Sequence, residues 1–207
     1  MPDFAFEDTL AAPVAGIDEV GRGPWAGPVT AAAAVIDRTL APPEILAEID
    51  DSKALSRSRR EAVFALLTSA PGFSWGIGEA TVAEIDSLNI LRATFLAMRR
   101  AAAALPLAPA AFLVDGNRLP PGLPAPALAV VKGDARSLSI AAASIIAKVT
   151  RDRLMERLAR ECPGYGWERN AGYGTAEHRA GLERFGLTNY HRRSFSPIRN
   201  LLTRKNS

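Results

Sequence analysis

Four carboxylates stand where local structure gives them no obvious reason to be. Asp18 and Glu19 close the apolar run VAGIDEV, Asp115 follows Phe-Leu-Val in AFLVDG, and Asp134 ends ALAVVKGD. Aspartate is among the poorest strand formers and a buried carboxylate without a partner is expensive, so each must be solvated, hydrogen-bonded or paired with a cation. Each also has a plain local explanation. Asp134 can cap the helix that follows, Asp115 can make a turn in Asp-Gly-Asn, and Glu19 can pair with Arg22. Together they suggest more, because carboxylates gathered in one place repel and are driven to protonate unless a divalent cation compensates. Donors that are all oxygen suit Mg²⁺ or Mn²⁺ rather than zinc. Two such ions, roughly 3.5 to 4 Å apart in two-metal hydrolases, activate water and stabilise the departing oxygen of a phosphodiester. Strand alternation sends Asp18 and Glu19 to opposite faces, so both serve one site only if the strand bends or ends there. Asp18 is the expected central ligand, with Glu19 reaching in from one side.

Gly21-Arg22-Gly23 follows at once, too short for a P-loop and without the GxGxxG spacing. Two glycines can simply make a tight connection. They can also let a nucleic-acid strand approach the main chain, whose N–H and C=O groups together read a hydroxyl that both donates and accepts, the ribose 2′-OH. Tyr173 in GYGT is either a loop anchor or a ring that stacks on a sugar or base. Lys148 and Arg151, which continue a helix stripe of Ser137, Ala141 and Ser144, are candidate phosphate contacts, as are Arg192 and Arg193 near the end of the chain, for which a solvated surface is the equal alternative. His178, His191 and Cys162 lie in no motif that supports nucleophilic catalysis.

The elements that must position these groups read as mixed α/β. Strands are expected at 14–20, 28–36, 73–81, 111–116 and 127–134. Helices are expected at 42–50, 57–69 with Ser56 as N-cap, 82–87, 89–104, from Ala135 to about Arg160, and after Thr175 to about Phe185. Residues 163–174 and the end, NYHRRSFSPIRN, read as irregular. Three strand ends that finish in acids would place them on one rim of a sheet, where open α/β sheets bind ligands.

Composition sets the frame: 207 residues and 48% hydrophobic content suit one domain with a single core. No apolar run approaches the roughly 20 residues of a membrane span, and the N-terminus lacks a signal-peptide pattern. One cysteine, Cys162, excludes an internal disulfide and points to a reducing cytoplasm. Residues 1–147 hold 12 Lys and Arg against 16 Asp and Glu, a balance of −4, while residues 148–207 hold 13 against 6, a balance of +7. The basic part from about 148 is a solvated surface or the footprint of a polyanion.

The blocks GIDEVGRGPWAGPV, DDSKALS, VDGNRLP, KGDARSLSIAAASIIAKVTRD and NAGYGTAEH with HRRSF, in this order from Gly16 to Phe195, resemble bacterial ribonuclease HII. The resemblance implies an α/β, RNase H-like fold: a central mixed β-sheet flanked by helices, with a C-terminal helical extension in one catalytic domain. It implies cleavage of the RNA strand of RNA/DNA hybrids and incision at single ribonucleotides in duplex DNA, leaving 3′-hydroxyl and 5′-phosphate ends, with two Mg²⁺ or Mn²⁺ ions. By position it makes Asp18, Glu19, Asp115 and Asp134 the metal-binding catalytic acids. Gly21, Arg22 and Gly23 become the 2′-OH sensor, Tyr173 the ring against the junction sugar, and Lys53 a further substrate contact. A cytoplasmic monomer without membrane contact is expected. Two rivals stay open: another RNase H-like nuclease, such as a junction resolvase or integrase core, and a non-catalytic nucleic-acid-binding module.

Overall fold

The computed structural model describes residues 1–52 and 54–204; Lys53, expected to touch substrate, lies outside the described residues. Five strands form one mixed sheet: β1 (Val14–Val20), β2 (Val29–Ile36), β3 (Phe73–Ala80), β4 (Ala111–Asp115) and β5 (Ala127–Val130), in the order β3-β2-β1-β4-β5. β1 pairs antiparallel with β2, and β2 with β3, whereas β4 runs parallel to both β1 and β5. The parallel pairing is what brings the ends of β1 and β4 to the same rim.

Helices cover both faces. α1 (Pro43–Leu46) and α2 (Arg57–Ser69) precede β3; α3 (Val82–Leu88) and α4 (Ile90–Ala103) follow it; α5 (Leu138–Glu161), α6 (Trp167–Asn170), α7 (Ala176–Phe185) and α8 (Ser196–Arg204) complete the chain. Alternation along β2 separates two cores. Ala31, Ala33 and Val35 face α4 through Ala97, Met98 and Ala101, while Ala32 and Ala34 face α5 and α2 through Ala141, Ala142, Ile145 and Leu67. Alanines on both partners let helix and sheet backbones approach closely. The C-terminal third forms its own apolar cluster on the far half of α5, with Met155, Leu158, Tyr165, Trp167, Leu182 and Ile198 buried together. No helix among the described residues is long and apolar enough to cross a membrane.

Capping explains the boundaries and corrects some of them. Ser56 Oγ accepts from the Arg59 N–H and Thr175 Oγ1 from the His178 N–H, as expected. The cap of α5 is Ser137, whose Oγ accepts from Ile140 N at 3.2 Å; Asp134 instead sits in a 3-10 turn, Gly133–Ala135, before the helix begins. The helix expected at 42–50 is only α1, a single turn introduced by two prolines. The expected irregular end contains α8, which Pro197 tolerates in its first turn and whose Ile198 and Leu201, three residues apart, share the face packed on the C-terminal cluster. The loop at 163–174 holds α6.

Candidate active site

Asp18 and Glu19 lie in regular strand, opposite Ala32 and Ala31 of β2, so alternation does send them to opposite faces. The bend comes after them, at Gly21 with φ +89°. Asp18 faces α5, 5% exposed, and is hydrogen-bonded to Ser144 as well as to the Glu19 N–H at 2.7 Å. Glu19 faces α4 and pairs through Oε1 with Arg22 Nη1 at 3.0 Å. It lines a cavity of about 480 Å³ with Arg22, Asp115 and Asn117. Asp115 ends β4, and its Oδ1 accepts from the Gly133 N–H at 2.7 Å. That bond fastens the rim of β4 to the turn carrying Asp134, which is 4% exposed.

The acids feel one another. Burial pushes the Asp18 carboxyl well above its usual range, and the charges of Glu19 and Asp115 push it further, against the opposing hydrogen bonds from Ser144 and the Glu19 amide. Glu19 is raised by burial and by Asp115, with Arg22 opposing. Among the described residues, no three His, Cys, Asp or Glu side chains form a ready-made metal-holding group. The donor set, carboxylate oxygens that are buried or partly buried, with Asp18, Glu19 and Asp115 repelling one another, nevertheless has the chemistry that hard divalent cations satisfy.

Beside the acids, the Gly21-Arg22-Gly23 turn is held from behind by two buried arginines. Arg192 is fully buried and donates through Nε to Gly27 O at 2.9 Å, through Nη1 to Arg22 O at 2.9 Å, and through Nη2 to Gly21 O at 2.5 Å and Pro28 O at 3.1 Å. Arg151, 1% exposed, donates to the carbonyls of Pro28, Ala171 and Ala26. Burial lowers their pKa values to about 9 and about 10, and each charge has main-chain carbonyls as its acceptors. A side chain at Gly21 would be strained by its φ and would place Cβ 2.0 Å from Arg151 Nε. Across the turn, the Tyr173 ring lies against Gly23 and is half exposed.

Arg192 is therefore not the phosphate contact expected from sequence, and neither is Arg151, since both spend their donors inside the protein. Arg151 continues the stripe Ser137, Ala141, Ser144 and Lys148, of which all but the partly exposed Lys148 are buried. Lys148 pairs with Asp152 at 2.7 Å and is partly exposed; Arg193 has an exposed side chain while its N–H donates to Asp86.

The Tyr173 loop has an anchor that sequence did not suggest. His178 Nδ1 lies 3.0 Å from the Tyr173 carbonyl, which can only accept, so Nδ1 carries the proton. His178 Nε2 then accepts from Trp167 Nε1 at 3.2 Å and from His191 Nε2 at 3.0 Å, and His191 Nδ1 accepts from the Thr188 N–H at 2.9 Å. Both rings are neutral in this arrangement, and Thr188 Oγ1 also lies 2.9 Å from His191 Nδ1. Burial and the neighbouring His178 hold His191 at about 4. A histidine whose folded pKa lies below the unfolded 6.5 contributes stability that is complete above pH 6.5 and lost as pH falls toward 4. Of the rings around it besides His178, Tyr165 and Trp167 are uncharged in this range. The stability difference between wild type and His191→Gln should shrink by on the order of 2 kcal/mol between pH 7 and pH 5. Paired urea melts check this, and a constant difference would contradict the neutral relay.

Comparison with known proteins bears on the same residues. The family model described as Ribonuclease HII matches residues 15–198. The chain is 60% identical to the ribonuclease HII of Rhodospirillum rubrum over 99% of its own length and 93% of the relative's, and 57% identical to that of a Jannaschia species over 97% and 98%. The crystal structure of the ribonuclease H2 from Pyrococcus horikoshii superposes with TM-score 0.79 at 31% identity, covering 94% of this chain and 99% of that one. A Bst-RNase HIII in complex with Mn²⁺ shares the fold at TM-score 0.70 and 21% identity, over 98% of this chain and 73% of that one. An RNase H-like mixed sheet, with a family match that runs from β1 into α8 and identity across nearly the full length of its relatives, places this chain in the ribonuclease HII family, the type II ribonucleases H.

Proposed function

We propose that this chain hydrolyses the RNA strand of RNA/DNA hybrids and incises duplex DNA at single ribonucleotides, leaving 3′-hydroxyl and 5′-phosphate ends. The observation that carries the reading is the juxtaposition of carboxylates, among them the buried Asp18 repelled by Glu19 and Asp115, with the Gly21-Arg22-Gly23 turn, against whose Gly23 the half-exposed Tyr173 ring lies. Asp18, Glu19, Asp115 and Asp134 are the residues that would hold two Mg²⁺ or Mn²⁺ ions; that a ribonuclease HIII of the same fold is found in complex with Mn²⁺ supports a divalent cation. When bound, such ions supply charge compensation and Lewis-acid activation for phosphodiester hydrolysis.

The remaining work falls to the protein. The Gly21-Arg22-Gly23 turn and the Tyr173 ring bracket the ribose, one reading its hydroxyl and the other its face. Misplacement of the phosphate by about 1 Å costs on the order of a hundredfold in rate, so holding turn and ring in register is a source of selectivity. Arg22, kept beside Glu19 by their ion pair, lies at the mouth of the cavity where a phosphate would enter.

The test is a duplex DNA carrying one ribonucleotide, incubated with Mg²⁺ or Mn²⁺ beside an all-deoxy control, with fragment ends mapped. One incision at the ribonucleotide and none in the control is the expected result. Comparable cutting of both duplexes would favour a resolvase-like nuclease, and binding without product under either ion would favour a non-catalytic module.

A further inference from the structure

We infer that Arg192, backed by Arg151, is a positioning residue whose buried guanidinium turns the carbonyls of Gly21 and Arg22 inward and so aims the N–H groups of Arg22 and Gly23 at the ribose 2′-oxygen. The inference rests on the reading above, that this turn receives the ribose. Its geometry follows from peptide planarity. The only cis peptide bond among the described residues is Ala12-Pro13, so the peptides of the turn are trans, with C=O and N–H pointing in opposite directions. Arg192 takes Gly21 O at 2.5 Å and Arg22 O at 2.9 Å. The N–H partners of those two carbonyls, on Arg22 and Gly23, therefore face away from the interior. Two successive outward N–H groups form a small concavity for an oxygen acceptor.

Energetics favour a purpose for the arrangement. A buried guanidinium is costly, and here the return comes from carbonyls rather than from a carboxylate. The two cations also stand close enough that Arg151 lowers the pKa of Arg192. A fold seeking only stability would fill this space with apolar side chains. What the pair achieves instead is register. Arg192 N–H donates to Trp25 O, Trp25 N–H to Gly172 O, and Arg151 to Ala171 O, so the turn and the loop bearing Tyr173 are tied through the same two residues. Lysine cannot replace Arg192 here, because a single ammonium cannot reach the Gly21, Arg22, Gly27 and Pro28 carbonyls that the planar fork spans.

The test measures binding in EDTA, without turnover, to a duplex with one ribonucleotide and to its all-deoxy counterpart. Wild type should prefer the ribonucleotide. Arg192→Lys should lose about tenfold of that preference, the scale of one or two misaimed hydrogen bonds, while its all-deoxy affinity changes little; Arg151→Lys should lose part of it. A folded Arg192→Lys that keeps the preference overturns the inference, as does one that weakens both duplexes equally, which would mark the acceptor as a phosphate oxygen. If the variants fail to fold, the wild-type amide resonances decide: those of Arg22 and Gly23 should shift further with the ribonucleotide duplex than with the all-deoxy one, and equal shifts overturn the assignment. Absence of any wild-type preference together with absence of cleavage would instead remove the proposed function itself.

Discussion

Asp18→Asn is expected to lower cleavage of a ribonucleotide-containing duplex by about a thousandfold, the scale lost when a key electrostatic group is removed from a reacting centre, while leaving the fold as stable or more so. The two halves of this result have one cause. Asp18 is 5% exposed and carries a charge that burial, Glu19 and Asp115 all oppose. Asparagine has the same shape, and its Oδ1 can still accept from the Glu19 N–H while the amide stays beside Ser144. Without ions, removing the charge relieves repulsion, so the melting temperature measured in EDTA should hold or rise. With substrate and Mg²⁺ or Mn²⁺, the same removal takes away an oxygen donor at the centre of the set. An ordinary structural residue would give the opposite pattern, lost stability with activity falling in proportion. Turnover within tenfold of wild type would remove Asp18 from the centre of the proposed site.

The acids stood out in the sequence because aspartate is a poor strand former; each had a plain local explanation by itself, and only the four together suggested a site. The parallel neighbourhood of β1 and β4 that brings them together was only an expectation until the sheet order was seen. What composition could not convey is the direction in which a cation points. The basic last third read as surface or as a nucleic-acid footprint, yet several of its charges are neutralised locally, as in Arg153 with Glu61, Lys148 with Asp152 and Arg169 with Glu177. Two more, Arg151 and Arg192, are interior scaffolding. Their acceptors are main-chain carbonyls up to 171 residues away in the chain, and carbonyls carry no signature in a sequence. The neutral His178–His191 relay was hidden for the same reason, since its partners are the Tyr173 carbonyl, the Thr188 amide and an indole. α8 is a different kind of miss: its alternation was present in Ile198 and Leu201, but a stretch rich in Ser, Pro and Arg masks a helical face of only nine residues.

Gly16→Ala should destabilise the protein by about 3 kcal/mol or more, the upper range of overpacking, although propensity alone predicts the reverse. Alanine in a strand interior is ordinarily favoured over glycine by roughly 0.5 to 1 kcal/mol. Here a Cβ would lie 2.1 Å from the carbonyl carbon of Ser139 and 2.2 Å from Ile140 N. Those are backbone atoms in the first turn of α5, so no side-chain rotation relieves the contact and the helix itself must move. α5 cannot move alone: its Ala141, Ala142 and Ile145 are packed against Ala32 and Ala34 on the same face. Asp18 lies two residues along β1 from Gly16, on that face, and is held by Ser144 from the same helix. Lifting α5 off Gly16 thus slackens the support of the proposed central acid as well as the core. Urea unfolding should show the loss, and ribonucleotide-directed cleavage by the fraction that remains folded should fall beyond what the unfolded population explains. Wild-type stability in Gly16→Ala would mean that α5 is not seated directly on β1, and the positioning of Asp18 would need another source.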